Sequence, residues 1–138
     1  MTDGQGLLLD TCALLWLVSG TLERNAVRTI GAALERGDLV VSAASAWEVG
    51  LLSRAGRLRF APDPKTWFGR AVSRPGIRLT PVTAEIAIDS SHLPGELHGD
   101  PADRLIIATA RDLALPVLTR DRRMLRYAED GHVVAIPC

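Results

Sequence analysis

Lysine is almost missing from this sequence. Lys65 is the only one, so fifteen of the sixteen basic residues are arginine. Cysteine is nearly as scarce. Cys12 and Cys138 are the whole supply, and their separation matches neither a disulfide framework nor a cysteine-based metal site. Both read as incidental, and the expected compartment is the reducing cytoplasm. Long apolar runs are absent too: Leu7–Leu9 and Leu39–Val41 are far too short to cross a bilayer. Residues 1–6 lack a basic segment followed by an apolar one, so no secretory signal is expected. Net charge is also missing, because sixteen acidic residues cancel the sixteen basic ones. The chain therefore lacks the overall positive balance of many nucleic-acid binders.

What remains fits one globular domain over residues 1–138. Hydrophobic residues make up 47% and charged ones 23% of the chain, ordinary for a folded protein. A chain of this length buries roughly two-thirds of its unfolded surface, so it needs neither disulfide nor structural metal to fold. The arginines gather at Arg54, Arg57 and Arg59 and again at Arg120, Arg122, Arg123 and Arg126. Their planar forks suit phosphate, although for any single one a solvated helix face is the better reading.

The pattern of apolar residues predicts alternating strands and helices. Leu7–Leu9 reads as a buried strand, followed by a helix from Thr11 to Val18 that Gly20 closes. A second helix is expected over Leu22–Arg36, ending at Gly37, and a second strand at Leu39–Val41. Ser42 caps a third helix, Ala43–Ala55, and Pro64 opens a fourth reaching Val72. A strand at Ile77–Thr80 and a helix at Ala84–Ser91 come next. The loop from His92 to Gly99 leads to Asp100-Pro101, which opens a helix running to Leu113. A fourth strand, Pro116–Thr119, a short helix, Arg122–Ala128, and a last strand, Val133–Ile136, complete the chain. No internal repeat, low-complexity tract or linker is visible. This order predicts an α/β fold: about five mostly parallel strands with helices on both faces.

Such sheets bind ligands beyond the C-terminal ends of their strands, and the acidic residues fall there. Asp10 ends the first strand, and Asp121 lies two residues past the fourth. Asp103 is in the first turn of the helix opened by Asp100-Pro101, and Glu48 is one turn into the helix after the second strand. Phase places two of them inward. Ala44, Glu48, Leu51, Leu52 and Ala55 form one stripe, and Asp103 leads Ile106, Ile107, Ala110 and Ala114 along another. Acids are seldom buried without a partner, and neither stripe carries a lysine or histidine. Helix capping or dipole complementation explains Asp10, Asp103 and Asp121 singly, and capping is the leading role of Asp100. It does not explain Glu48, which lies mid-helix.

Two unit charges about 4 Å apart cost roughly 4 kcal/mol at an effective dielectric of 20. A hard divalent cation removes that cost, and all-oxygen donors suit magnesium or manganese. The constellation points to metal-assisted phosphodiester hydrolysis. His92, His98 and His132 are scattered and read as exposed loop or edge residues.

At these residues the chain resembles PIN domains, and more narrowly the VapC-type toxins of bacterial toxin–antitoxin pairs. The resemblance rests on Leu7-Leu-Leu-Asp-Thr11, Val41-Ser-Ala-Ala-Ser-Ala-Trp-Glu-Val49, Gly99-Asp-Pro-Ala-Asp-Arg-Leu-Ile-Ile-Ala-Thr-Ala110 and Val117-Leu-Thr-Arg-Asp121, with Gly56-Arg-Leu58 beside them. Together they span the chain nearly end to end. The resemblance implies a Rossmann-like sheet, an endoribonuclease acting on RNA and magnesium, with manganese as a substitute. It also implies a homodimer held in check by a cognate antitoxin protein. It carries Asp10, Glu48, Asp103 and Asp121 over as catalytic metal-centre residues. Asp10 and Asp103 are expected to bind most directly, and Glu48 and Asp121 to complete the shell or act through water. Thr119 is expected to orient a ligand or water, Asp100 to support the centre, and Arg104 and Arg120 to hold the RNA backbone or pair with surface acids.

Two rivals follow from the same residues. A phosphoaspartyl phosphatase of the haloacid-dehalogenase kind needs a second aspartate two positions after Asp10, where this chain has Cys12. A PIN-like domain acting only as a binding or scaffold module is the second. Segment Trp47–Phe68 carries more apolar side chains than a short helical pair needs. Part of it is expected to form a dimer or antitoxin surface, with Trp47 itself in the core.

Overall fold

The computed structural model describes residues 6–138, and the segment in which a secretory signal was sought lies mostly outside them. The described elements run β1 (Leu7–Leu9), α1 (Thr11–Ser19), α2 (Arg24–Arg36), β2 (Leu39–Ser42), α3 (Ala43–Arg54), α4 (Pro64–Val72), β3 (Ile77–Thr80), α5 (Ala84–Ser90), α6 (Pro101–Leu113), β4 (Val117–Thr119), α7 (Arg122–Glu129) and β5 (Ala135–Pro137).

The strands form one sheet in the order β3-β2-β1-β4-β5, and every pairing is parallel. The chain builds outward from β1 to β3 on one side, then returns to lay β4 and β5 on the other. The reversal falls between β1 and β4, where a crevice opens at the C-terminal strand ends. Asp10 and Thr119 stand at that point.

Side chains alternate across the central strands. Leu7, Leu9, Leu39, Val41 and Leu118 meet Ala13 and Leu14 of α1, Ile30 of α2 and Phe68 of α4. Leu8, Val40 and Val117 meet Ile106 and Ile107 of α6 and Met124 and Tyr127 of α7. Each face is thus covered, and full burial of a Leu, Ile or Phe contributes about 1.5–3 kcal/mol. The continuous apolar runs of the inner strands follow from this two-sided cover.

Several boundaries differ from the expected ones. α2 starts at Arg24, because Leu22 turns into the core instead of opening the helix. The last strand is displaced to Ala135–Pro137. Its register is set by Val117 N–H donating to Val134 O, which leaves Val134 exposed before the strand begins. Proline at its end is tolerated on an edge strand. The inward face of α3 is Ala44, Ser45 and Val49, so the stripe through Glu48, Leu51 and Ala55 lies off the core. Trp47 is 46% exposed and not in the core. Phe60 and Phe68 are the aromatics of this segment buried in the core, with Trp67 edge-on to Phe60 at 4.9 Å.

Candidate metal centre

Asp10, Asp100, Asp103 and Asp121 are placed by the starts of helices, whereas Glu48 lies midway along α3. Asp10 caps α1 and accepts from Ala13 N–H at 2.7 Å. Asp100 caps α6 and accepts from Asp103 N–H at 3.0 Å. Asp121 caps α7 and accepts from Arg123 and Met124 N–H at 2.8 and 3.3 Å. The caps expected from sequence are therefore present. Because parallel strands deliver successive helix N-termini to the same edge, the caps also converge.

The convergence has two lobes. One carboxylate oxygen each from Glu48, Asp100 and Asp103 lies within 4.8 Å of the others. A ligand atom each from His98, Asp103 and Asp121 forms a second group within the same limit. Asp103 belongs to both.

Asp10 stands apart from these groups. It is 4% exposed, and both of its oxygens are engaged, one by Ala13 N–H and the other by the Thr119 hydroxyl. Thr119, itself buried, also accepts from Asp121 N–H at 3.0 Å. It ties the Asp10 carboxylate to the backbone of Asp121.

Burial and mutual repulsion raise most of these acids. Desolvation pushes Asp10 up to about 6, its bonds from Thr119 and Ala13 oppose this, and the charges of Asp103 and Asp121 add to it. Glu48 and Asp103 are also raised, first by desolvation and further by neighbouring acids. Asp121 goes the other way: partial burial raises it, but the bonds from Arg123 outweigh that and lower it. The Arg123 guanidinium lies 3.2 Å from Asp121 Oδ2.

Glu48 carries a further mark. Its Oε1 is buried with no hydrogen-bond partner, a state that costs free energy unless a cation or proton satisfies it. Hard oxygens at close range with one left open fit magnesium or manganese.

Three side chains differ from their sequence reading. His98 is not an exposed edge residue: its side chain is 11% exposed and its Nε2 lies 2.8 Å from Asp103 Oδ2. Nothing local in the sequence marks it, since the loop before α6 must fold back to deliver it. Arg104 is engaged by backbone carbonyls. Its Nε donates to Ser90 O at 2.8 Å, and the same guanidinium donates to Leu97 O at 3.0 Å and His98 O at 3.4 Å. Helical phase puts Arg104 one step round from Asp103, toward that loop. Arg120 lies 3.9 Å over the Trp16 ring and donates to Cys138 O at 2.7 Å, so it is also held by the protein.

The PIN domain family model matches residues 7–130. Ribonuclease VapC22 of Mycobacterium tuberculosis (strain ATCC 25618 / H37Rv) is 30% identical over 118 residues, covering 86% of this chain and 88% of that protein. Among solved structures, VapBC2 from Rickettsia felis, bound to a promoter DNA fragment, matches with a TM-score of 0.70 at 11% identity. That match covers 96% of this chain and 98% of the other. DNA-bound VapBC from Salmonella typhimurium matches at 0.67 and 15% identity, with the same coverage. FitAB bound to a DNA fragment matches at 0.62 and 21%, over 95% of this chain and 94% of the other.

Proposed function

Since the chain belongs to the PIN-domain family, we propose that it is a divalent-cation-dependent endoribonuclease and the toxin of a toxin–antitoxin pair. The observation that carries this reading is Asp103, whose carboxylate is shared by two close ligand groups beside the unpartnered Glu48 oxygen. The relative of known activity is named a ribonuclease, and the structural neighbours named VapBC are complexes. Among the described residues, no helix is long and apolar enough to cross a membrane. A cytoplasmic site of action is part of the proposal.

Asp103 would hold the cation, with Glu48 and Asp100 on one side and Asp121 on the other. Such a cation supplies Lewis acidity toward a phosphodiester and charge stabilisation in its transition state. The protein groups do the rest. Asp121, kept ionised by Arg123, preserves negative potential at the crevice mouth. Asp10, with both oxygens engaged, forms the floor and adds to that potential. Glu48 Oε1, the unpartnered oxygen, would turn to the cation, and burial with the neighbouring acids raises the pKa of its carboxyl.

Trp47 and Leu51 are exposed at i and i+4 on α3, on either side of Glu48, with Leu58 exposed beyond them. A monomer gains nothing from leaving such side chains in water. We assign this surface to a partner protein, the antitoxin, with a second copy of the chain as the competing occupant.

The test is cleavage of RNA by the purified protein with magnesium or manganese, after chelation, and after readdition. Cleavage that chelation stops and the metal restores supports the reading. Undiminished cleavage after exhaustive chelation overturns it. Sequencing the ends of RNA from cells briefly expressing the protein identifies the substrate.

A further inference from the structure

The loop from Ser91 to Gly99 has no regular secondary structure, yet it is anchored at several points through its backbone. Arg104 donates to the carbonyls of Ser90, Leu97 and His98. The Tyr127 hydroxyl donates to Pro94 O. Gly95, at φ 68°, lies so close to His132 that a Cβ there would sit 2.5 Å from its Nε2. Such anchoring is costly to evolve for a spacer, because each ordered residue loses about 1–2 kcal/mol of backbone entropy.

What the loop delivers is His98. Its Nε2 lies 2.8 Å from Asp103 Oδ2, and its Nδ1 is buried without a partner. A carboxylate that binds a cation is ionised and can only accept hydrogen bonds. The Nε2 therefore carries the proton and donates. This leaves the other Asp103 oxygen directed to the cation, with the carboxylate unable to swing away.

From this geometry we infer that His98 is a positioning residue for the cation site: it fixes the Asp103 carboxylate through Nε2–H, and Arg104 and Tyr127 hold it there by clamping the loop. The inference rests on the metal-dependent reading above and adds a residue outside the four acids. It also joins His98-Gly99-Asp100-Pro101-Ala102-Asp103-Arg104 into one device, in which Asp100 starts the helix, Asp103 holds the cation, and Arg104 returns the loop that brings His98 to Asp103. Partners of this kind orient the coordinating group and keep it ionised, and their loss typically weakens metal affinity by about 10- to 100-fold.

The experiment compares His98→Gln with His98→Met in the full chain. The two replacements have similar length and volume, but only glutamine can donate to Asp103. Manganese binding is followed by loss of the free-ion paramagnetic resonance signal, and metal-free melting is recorded for each protein. The expected result is manganese affinity close to wild type for His98→Gln and about 10- to 100-fold weaker for His98→Met, with similar metal-free melting for both. His98→Met binding manganese as tightly as wild type would overturn the inference and leave the metal site intact. Equal weakening in both variants would overturn it too, since donation would then not be what matters. A wild-type protein that binds no manganese would overturn this inference and the metal-dependent function together.

Discussion

The Thr119 hydroxyl donates to the carboxylate of Asp10, joining residues 109 positions apart in the chain across the β1–β4 crevice. It is a buried link between two strand ends, and it holds down a carboxyl that burial, even against this bond, raises to about 6. Replacing Thr119 by valine keeps the shape but removes the donor. It also leaves Asp121 N–H without its acceptor. The expected outcome is a loss of about 1–3 kcal/mol in urea unfolding at neutral pH and an upward shift of the Asp10 titration, measured by carbon-detected magnetic resonance. Unchanged stability would show that the link contributes nothing.

Stability without metal should fall as pH rises from about 4 to 6. Asp10 has a folded pKa near 6 against an ordinary 3.8, so the folded state binds the extra proton within that window. Its contribution is present below the unfolded pKa and is lost as pH rises through the folded one. The full difference corresponds to roughly 3 kcal/mol. Glu48 and Asp103 shift in the same direction. Asp121 is lowered, so its stabilising contribution disappears only in more acidic solution. Denaturant unfolding in chelator at pH 4.5 and 7 checks this, and Asp10→Asn should flatten the dependence.

Asp103→Asn separates a cation ligand from a helix-dipole partner. As a ligand, its loss abolishes RNA cleavage and sharply reduces the rise in melting temperature that magnesium produces by binding the folded state. The metal-free fold stays as stable or gains, because repulsion and desolvation at Asp103 disappear. A dipole role instead costs about 0.3–1 kcal/mol and spares catalysis. Melting with and without magnesium, paired with cleavage, decides between them.

Arg104→Met tests the loop clamp. Hydrogen bonds from a charged donor to buried carbonyls contribute about 1.5–3 kcal/mol, so the variant should lose stability of that order and show faster amide exchange at Leu97 and His98. The slope of RNA affinity against salt should not change. A lost phosphate contact would reduce that slope by about 0.7 for a single strand.

Trp47→Ser combined with Leu51→Ser should leave the melting temperature of the isolated chain nearly unaltered, as exposed positions usually do. Capture of a co-expressed antitoxin should fail. Retained capture together with a loss of self-association in sedimentation would assign the surface to a second copy of the chain.

Much of this protein is readable without coordinates, for local reasons. Three-residue apolar strands between amphipathic helices demand a parallel sheet, and Gly20, Gly37, Ser42, Asp100 and Pro101 mark helix ends through backbone chemistry that acts within a few residues. The acids were visible because parallel topology sends every strand's C-terminal end to one edge. Other features were decided only by packing. Helical periodicity placed Glu48 on a core stripe, whereas α3 is rotated so that Ala44, Ser45 and Val49 face inward and Trp47 and Leu51 face out. Arg104 was legible as a charge but not as a clamp, because its acceptors are carbonyls of a folded-back loop. His98 was the least legible. A histidine five residues before Asp103 has no periodic relation to it outside a helix, and only the loop held by Arg104 and Tyr127 brings the two within 2.8 Å.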